Sequence, residues 1–386
     1  MESKIISLKS PQLILAGIGA LDRLTDEVKA LEVKKALLVT DKGVMASGIG
    51  PKVQALLEGA GLGVDVFDKV IPDPDIACAE ACIKTAKKGG YGLIVGLGGG
   101  SPMDIAAIAA VMCTNPGTVH DYFGVNLVKK PGLPAFLIPT TAGTGAEVTP
   151  NAILTDVQEK LKKAIVSPYI LPRVACIDPL LTVSMPPRVT AFTGMDALTH
   201  AIEAYTSGNA TSLTDIYAVE GIKLIARSLR TAAGKGDNLE ARQDMSLGSL
   251  YAGIALANAG VTAVHALAYP LGGEFNVPHG IANGLLLPHI MEFNATGSVA
   301  KFAHVAELMG ERVENLSLLD RARRAAEAVK ALLRDLPVPQ SLKELKIKKE
   351  SIPRMAEACL KITRLMANNP RNMTLEDATR IYQNAL

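Results

Sequence analysis

The chain has 386 residues, 48% of them hydrophobic and only 20% charged, which is ample for sizeable cores and excludes a disordered polypeptide. Lys plus Arg number 40 against 38 Asp plus Glu, with no long basic run and no aromatic-interleaved basic patch, so nucleic acid is not the expected partner. The cysteines Cys78, Cys82, Cys113, Cys176 and Cys359 are odd in number and scattered, unlike a disulfide framework, and point to a reducing compartment.

The start, Met1-Glu2-Ser3-Lys4, lacks the apolar run of a signal peptide, and a cytoplasmic protein is expected. Short apolar runs broken by glycine follow, and then strand-like and helix-like stretches alternate. Residues 36–40 read as a strand, 51–58 as a helix, 63–67 as a strand, 76–88 as a helix and 93–95 as a strand running into glycines. This βαβ rhythm is that of a parallel sheet covered on both faces. Ligands of such sheets bind outside the carboxyl ends of the strands.

Two of those ends carry useful residues. After the first strand, Asp41 leaves a carboxylate able to accept hydrogen bonds from the ribose hydroxyls of an adenosine. After the third comes Gly96-Leu97-Gly98-Gly99-Gly100-Ser101-Pro102-Met103-Asp104, in which Ser101 reads as N-cap, Pro102 as the first helical residue and Asp104 as the reciprocal member of a capping box. Glycines against a helix N-terminus suit a pyrophosphate, although tight strand-to-helix turns need glycine anyway. The run is not G-x-G-x-x-G, and the acid precedes the loop instead of following it. A carboxylate at 41 repels a 2′-phosphate, so NAD is favoured over NADP. The third segment, 137–151, ends a strand in hydroxyls and small residues, which reads either as contacts for phosphate and nicotinamide ribose or as a polar surface loop. Residues 151–155 and 163–166 then look like a hairpin, with Lys163 a ribose or phosphate contact.

The paired prolines of Met185-Pro186-Pro187 stop regular structure and divide the chain into 1–185 and 186–386. The second part reads as all-helical: 212–228 and 318–333 have helical apolar spacing, and Thr374-Leu375-Glu376-Asp377 makes a capping box for a last helix. Residues 245–273 contain no Asp, Glu, Lys or Arg, long enough on paper to span a bilayer. Asn258, His265, Pro270 and the many small residues, without flanking basic clusters or aromatic belts, fit closely packed central helices better.

Three of the six histidines fall between 194 and 280. Asp196 and His200 lie four apart with no helix breaker between them, which stacks a carboxylate and an imidazole one turn apart on a helix face. A lone buried His is more often a satisfied core residue, and an Asp four before a His is often a surface pair. Asp196, His200, His265 and His279, however, all sit in apolar, small-residue sequence, and three imidazoles with one carboxylate suit iron or zinc. Four protein ligands fill a tetrahedral zinc shell, whereas Fe(II) accepts five or six, which favours iron. A cation held by such a set polarises an oxygen bound to it, and a nicotinamide nearby accepts hydride.

Taken together, the segments 98–104, Pro-Thr-Thr-Ala-Gly-Thr-Gly-Ala-Glu at 139–147, Asp178-Pro179, Gly-Met-Asp-Ala-Leu-Thr-His-Ala-Ile-Glu at 194–203, the two later His segments and Asn369-Pro370-Arg371 resemble the iron-containing (group III) alcohol dehydrogenases over nearly the whole chain. The kin include lactaldehyde reductases and 1,3-propanediol dehydrogenases. The resemblance implies an α/β dinucleotide-binding domain with a parallel sheet, an all-α metal domain and a cofactor cleft between them. It implies Asp196, His200, His265 and His279 as metal ligands, and Asp41, Gly98, Gly99, Ser101, Thr140, Thr141, Thr144, Thr149 and Lys163 around NAD. Many members carry a second histidine four residues after the third ligand. Here that place is Tyr269, the remaining candidate for the proton path beside water and the ribose hydroxyl. Small primary alcohols, diols and their aldehydes are the expected substrates, a 4-hydroxybutyrate-like hydroxyacid the second choice, and a dimer or higher homo-oligomer the expected state. A dehydroquinate synthase-type lyase would need basic residues for a phosphorylated substrate that the metal segments lack; a non-catalytic NAD-binding protein would bind cofactor without turnover.

Overall fold

The computed structural model describes residues 5–159 and 161–386. The start Met1-Glu2-Ser3-Lys4, read above for its lack of an apolar run, lies outside them. The chain forms two compact units, one of Lys9–Met185 and one of Pro186–Leu386 with residues 5–8.

In the first unit the elements run β1 (Leu13–Ala16), α1 (Ala20–Ala30), β2 (Lys35–Val39), α2 (Lys42–Ala46), α3 (Ile49–Gly59), β3 (Gly63–Phe67), α4 (Ile76–Lys88), β4 (Leu93–Gly98), α5 (Gly100–Met112), β5 (Gly124–Val125), β6 (Ala135–Pro139), β7 (Asn151–Asp156), β8 (Leu161–Val166) and β9 (Val174–Ile177). Six strands make one sheet in the order β1-β9-β6-β4-β2-β3, every pairing parallel. The central strands β4, β6 and β9 are buried along their whole length, which is why they read as unbroken apolar runs. Side chains alternate between two cores. Leu37, Val39, Ile94 and Leu137 face the helices α4 and α5, whereas Leu38, Val95 and Leu97 face α1 and α3. A parallel sheet between two helical layers is the fold class expected of this part of the chain. The segments 151–155 and 163–166 do form an antiparallel hairpin, β7–β8, with Asn151 opposite Val166 and β5 on the far side of β8.

One local reading is corrected. Helix α5 starts at Gly100 with Gly99 at the N-cap and no side-chain cap, so Ser101 lies inside the helix and closes no capping box. Asp104 turns away from the helix start to accept the Ile153 N–H at 3.0 Å, satisfying a backbone donor of β7. That demand comes from a strand far along the chain, so nothing in the local sequence announces it.

The second unit is helical: α6 (Pro187–Thr206), α7 (Ser212–Gly234), α8 (Leu239–Ala259), α9 (Ala263–Phe275), α10 (His279–Asn294), α11 (Val299–Leu308), α12 (Leu318–Arg334), α13 (Ile352–Leu360), α14 (Thr363–Met366) and α15 (Leu375–Asn384). Proline at its first turn sets the start of α6, and the helix is buried almost throughout from Thr190 onward. Thr374 caps α15 in a reciprocal box with Asp377. The uncharged stretch 245–273 is divided between α8 and α9, which meet at 103° across Gly260, a residue at φ +74 that ends α8. Among the described residues no single helix is long and apolar enough to cross a membrane. Glycines allow the central helices to approach. A β-carbon at Gly280 would sit 2.4 Å from the Phe192 carbonyl oxygen and 3.3 Å from Asp196 Cβ, so only glycine brings the start of α10 this close to α6.

Candidate metal centre

Helix α6 presents Asp196, His200 and Glu203 at spacings of four and three, hence on one face. His265 comes from the first turn of α9 and His279 from the first residue of α10. The four expected ligands converge: one donor atom from each of Asp196, His200, His265 and His279 lies within 4.8 Å of all the others. His200 Nε2 is 3.1 Å from His265 Nε2. Asp196 Oδ1 is 3.7 Å from His200 Nε2 and 3.8 Å from His279 Nε2. Bonds of about 2.1 Å to a shared cation would set neighbouring ligand atoms roughly 3.0–3.4 Å apart, a spacing the His200–His265 pair has and the two Asp196 pairs exceed by a few tenths of an ångström. Asp196, His200 and His265 are buried, whereas His279 is partly open, which leaves the centre one accessible side.

Burial works against the charge of the Asp196 carboxylate, yet the imidazoles of His200, His279 and His265 and the Asn283 amide outweigh it and hold the pKa below its usual value. Two residues of the site had been given no role from the sequence. Asn283, wholly buried, points Nδ2 at Asp196 Oδ1 (2.8 Å) and lies 3.1 Å from Nε2 of both His265 and His279. The Asn283 amide nitrogen shares its two protons among these contacts, and its Oδ1 makes no hydrogen bond among the described residues. Imidazoles and a carboxylate gathered round one point are a donor set that a divalent cation would satisfy. Glu203 accepts from His265 Nδ1 at 2.5 Å, which leaves Nε2 of that ring as the acceptor facing the centre. Glu203 was legible in principle as the second acid, one helical turn beyond His200, in a run whose only other charged residue is Asp196. Asn283, an amide four residues after His279, had no charge to signal it.

Tyr269 packs with Leu256, Val261, Ala266 and Leu365, its ring centroid 6.5 Å from that of His279. Burial above all, and Glu203 to a lesser degree, raise its pKa against the opposing pull of Arg364, so it stays a protonated phenol.

Six of the nine expected NAD contacts gather at the carboxyl ends of β2, β4 and β6, of which β2 and β4 are neighbours. These neighbours diverge in sequence order, with β3 next to β2 on one side and β4 on the other, which is the switch point where such sheets take ligands. Asp41 Oδ1 caps α2 by accepting from Val44 N at 2.9 Å. Its Oδ2 lies 3.4 Å from where a β-carbon on Gly98 would stand, and that glycine has φ +146. β-carbons at Gly99 and Gly100 would meet Thr141 and Thr144 at 3.6 and 3.0 Å, and Thr140 N bonds Gly98 O at 2.9 Å. Asp41, Gly98, Gly99, Thr140, Thr141 and Thr144 are thus brought together. Ser101 follows in the first turn of α5, and Thr149 sits buried before β7. With Gly99 as N-cap, no capping side chain covers the start of α5, an arrangement suited to a pyrophosphate. Thr40 Oγ1, buried at the end of β2, likewise makes no hydrogen bond among the described residues. Lys163 is held differently: its ammonium lies 2.8 Å from Asp156 Oδ2 and 2.7 Å from Glu159 Oε1 within the β7–β8 hairpin.

Residues 11–179 match the family profile described as iron-containing alcohol dehydrogenase, and 190–386 match the C-terminal profile of the Fe-containing alcohol dehydrogenase family. The chain is 40% identical over 371 residues to the lactaldehyde reductase of Escherichia coli (strain K12), covering 96% of each. It superposes on a crystal structure of 1,3-propanediol oxidoreductase with a TM-score of 0.97 at 40% identity, over 99% of this chain and 100% of that one. A sulfoacetaldehyde reductase from Bifidobacterium kashiwanohense, solved in complex with NAD+, matches with a TM-score of 0.89 at 30% identity over 99% of both chains.

Proposed function

The chain belongs to the iron-containing alcohol dehydrogenase family and is an NAD-dependent alcohol–aldehyde oxidoreductase, and from that premise we propose that Asp196, His200, His265 and His279 hold the iron and that small primary alcohols or diols and their aldehydes are its substrates. The observation that carries the assignment is the convergence of four donor atoms from three helices on one buried point. When bound, a divalent cation there stabilises the deprotonated form of an alcohol and polarises an aldehyde carbonyl, while NAD accepts or returns hydride.

The rest falls to the chain's own groups. Asp41 Oδ2 accepts from the adenosine ribose hydroxyls, and the backbone N–H groups at Gly99 and the start of α5 hold the pyrophosphate. Ser101, Thr140, Thr141, Thr144 and Thr149 supply hydroxyls to phosphate and nicotinamide ribose. Lys163 reaches the ribose or phosphate only by loosening one of its two carboxylate contacts. Tyr269, protonated and beside His279, passes a proton through its hydroxyl without ionising. Lys9–Met185 acts as the dinucleotide domain and Pro186–Leu386 as the metal and substrate domain. Five cysteines without a disulfide fit the cytoplasm, and the open sheet edges β1 and β3 suit pairing in a dimer or higher homo-oligomer.

The test is anaerobic reconstitution with Fe(II) or Zn(II), followed by NADH formation across a panel of short and long alcohols, diols and hydroxyacids. Metal-dependent turnover greatest on short alcohols or diols is expected. A preference for 4-hydroxybutyrate-like compounds would move the assignment to a hydroxyacid dehydrogenase, and turnover independent of metal would remove the centre from the chemistry.

A further inference from the structure

We propose that Glu203 is a positioning residue of the iron site, fixing His265 in the tautomer whose Nε2 faces the cation and tying the start of α9 to α6. The proposal rests on the assignment of the four ligands above. Glu203 is 2% exposed, and both its oxygens are engaged. Oε1 accepts from Thr262 N at 3.0 Å, Thr262 Oγ1 at 2.5 Å and Val264 N at 2.8 Å, and Oε2 lies 2.5 Å from His265 Nδ1.

Thr262 is the N-cap of α9, yet its own side chain makes no cap bond to that helix. The acid from α6 takes those N–H groups instead, placing negative charge at the positive end of a 13-residue helix. A neutral imidazole carries one N–H. With Nδ1–H given to the carboxylate, the proton is on the side away from the centre and the Nε2 lone pair is directed inward, 3.1 Å from His200 Nε2. The same carboxylate therefore sets both the ring's position, through α9, and which ring nitrogen carries the proton. Loss of a group in this role costs about 10–100-fold in metal affinity.

Glu203→Gln separates the two tasks. If its carbonyl stays with Thr262 and Val264, its amide N–H faces His265 Nδ1, and the ring proton is driven to Nε2, against the cation. The experiment titrates the metal-free full-length protein with Co(II), measures affinity by chelator competition, and records the proton NMR signals of imidazole N–H groups shifted by the bound cobalt. Wild type should show a slowly exchanging N–H from His265, shielded from solvent by Glu203. Glu203→Gln should lose that signal and bind Co(II) about 10–100-fold more weakly. Thr262→Val, which removes only the hydroxyl bond, should lower thermal stability while leaving the affinity and the shifted signals unchanged.

Wild-type affinity with all signals retained in Glu203→Gln would overturn the proposal, as would an equal loss of affinity in Thr262→Val, which would reduce Glu203 to a prop for the helix. Should Glu203→Gln fail to fold, the wild-type cobalt spectrum decides: absence of a slowly exchanging His265 N–H sinks the proposal. Failure of the wild-type protein to bind Co(II) would instead overturn the ligand assignment itself.

Discussion

The two oxygens of Asp41 differ in setting, since Oδ1 caps α2 while Oδ2 is left toward Gly98, where the proposed ribose contact would be made. Asn at this position keeps a capping oxygen and removes the charge. Two unit charges about 4 Å apart near a protein surface interact by roughly 4 kcal/mol before salt screening. Discounted for the partial exposure of Asp41, the preference for NAD over NADP should fall about ten-fold or more in Asp41→Asn. The measurement is kcat/KM with each cofactor, and an unchanged ratio would place the 2′-position away from this carboxylate. Tyr269 is tested separately. Because burial keeps the phenol protonated, Tyr269→Phe should slow turnover through loss of a hydroxyl relay while leaving the shape of the pH profile in place, since no titrating base is removed. An identical rate would leave proton transfer to water and ribose. The histidines proposed as ligands were legible because isolated imidazoles in apolar sequence are costly unless something satisfies them. Asn283 was not, since a neutral amide in a helix looks the same whether it faces solvent or a metal.

Among the elements, the turn from β6 toward β7 carries a buried acid whose protonation couples folding to pH. Glu147 is 3% exposed, and burial pushes its carboxyl from the ordinary 4.5 up to about 7, against a smaller opposing contribution from its own backbone N–H. Between those two values the folded chain holds a proton that the unfolded chain has released. The stability linked to Glu147 is therefore fully present below the lower value and is lost as pH rises through the upper one. The amide introduced by Glu147→Gln is neutral at every pH. Denaturant midpoints should show wild type losing stability relative to Glu147→Gln on going from acid to mildly alkaline pH, by up to about 3 kcal/mol. Parallel pH dependences in the two proteins would show that Glu147 does not hold its proton. The strand and helix pattern around this turn was readable from apolar runs and glycines, because those reflect burial on both faces of a sheet. The start of α5 was misread for a physical reason: Ser101 and Asp104 have the local spacing of a capping box, but the Ile153 N–H of β7 needs an acceptor and takes Asp104.

At the scale of the whole molecule, the two sets of candidate groups divide cleanly. Every proposed metal ligand lies within Pro186–Leu386, and every proposed NAD contact lies within Lys9–Met185. The sequence reading divided the chain at the paired prolines 186 and 187, where alternating periodicity gives way to all-helical periodicity, both local signals. It did not place residues 5–8, which group with the helical unit, because that grouping depends on contacts distant in sequence. A ligand that binds only the folded state stabilises it by about 2.7 kcal/mol when present at a hundred times its dissociation constant. That stabilisation should be registered first by the elements that hold the ligand. Hydrogen exchange should therefore slow in α6, α9 and the start of α10 on adding Zn(II) to the metal-free protein, and in the β2–α2 and β4–α5 turns on adding NAD. Chelation should reverse the first pattern and leave the second in place. If metal protected the β4–α5 turn while α6 and α9 exchanged as before, the four side chains brought together in the helical unit would not be where the cation binds.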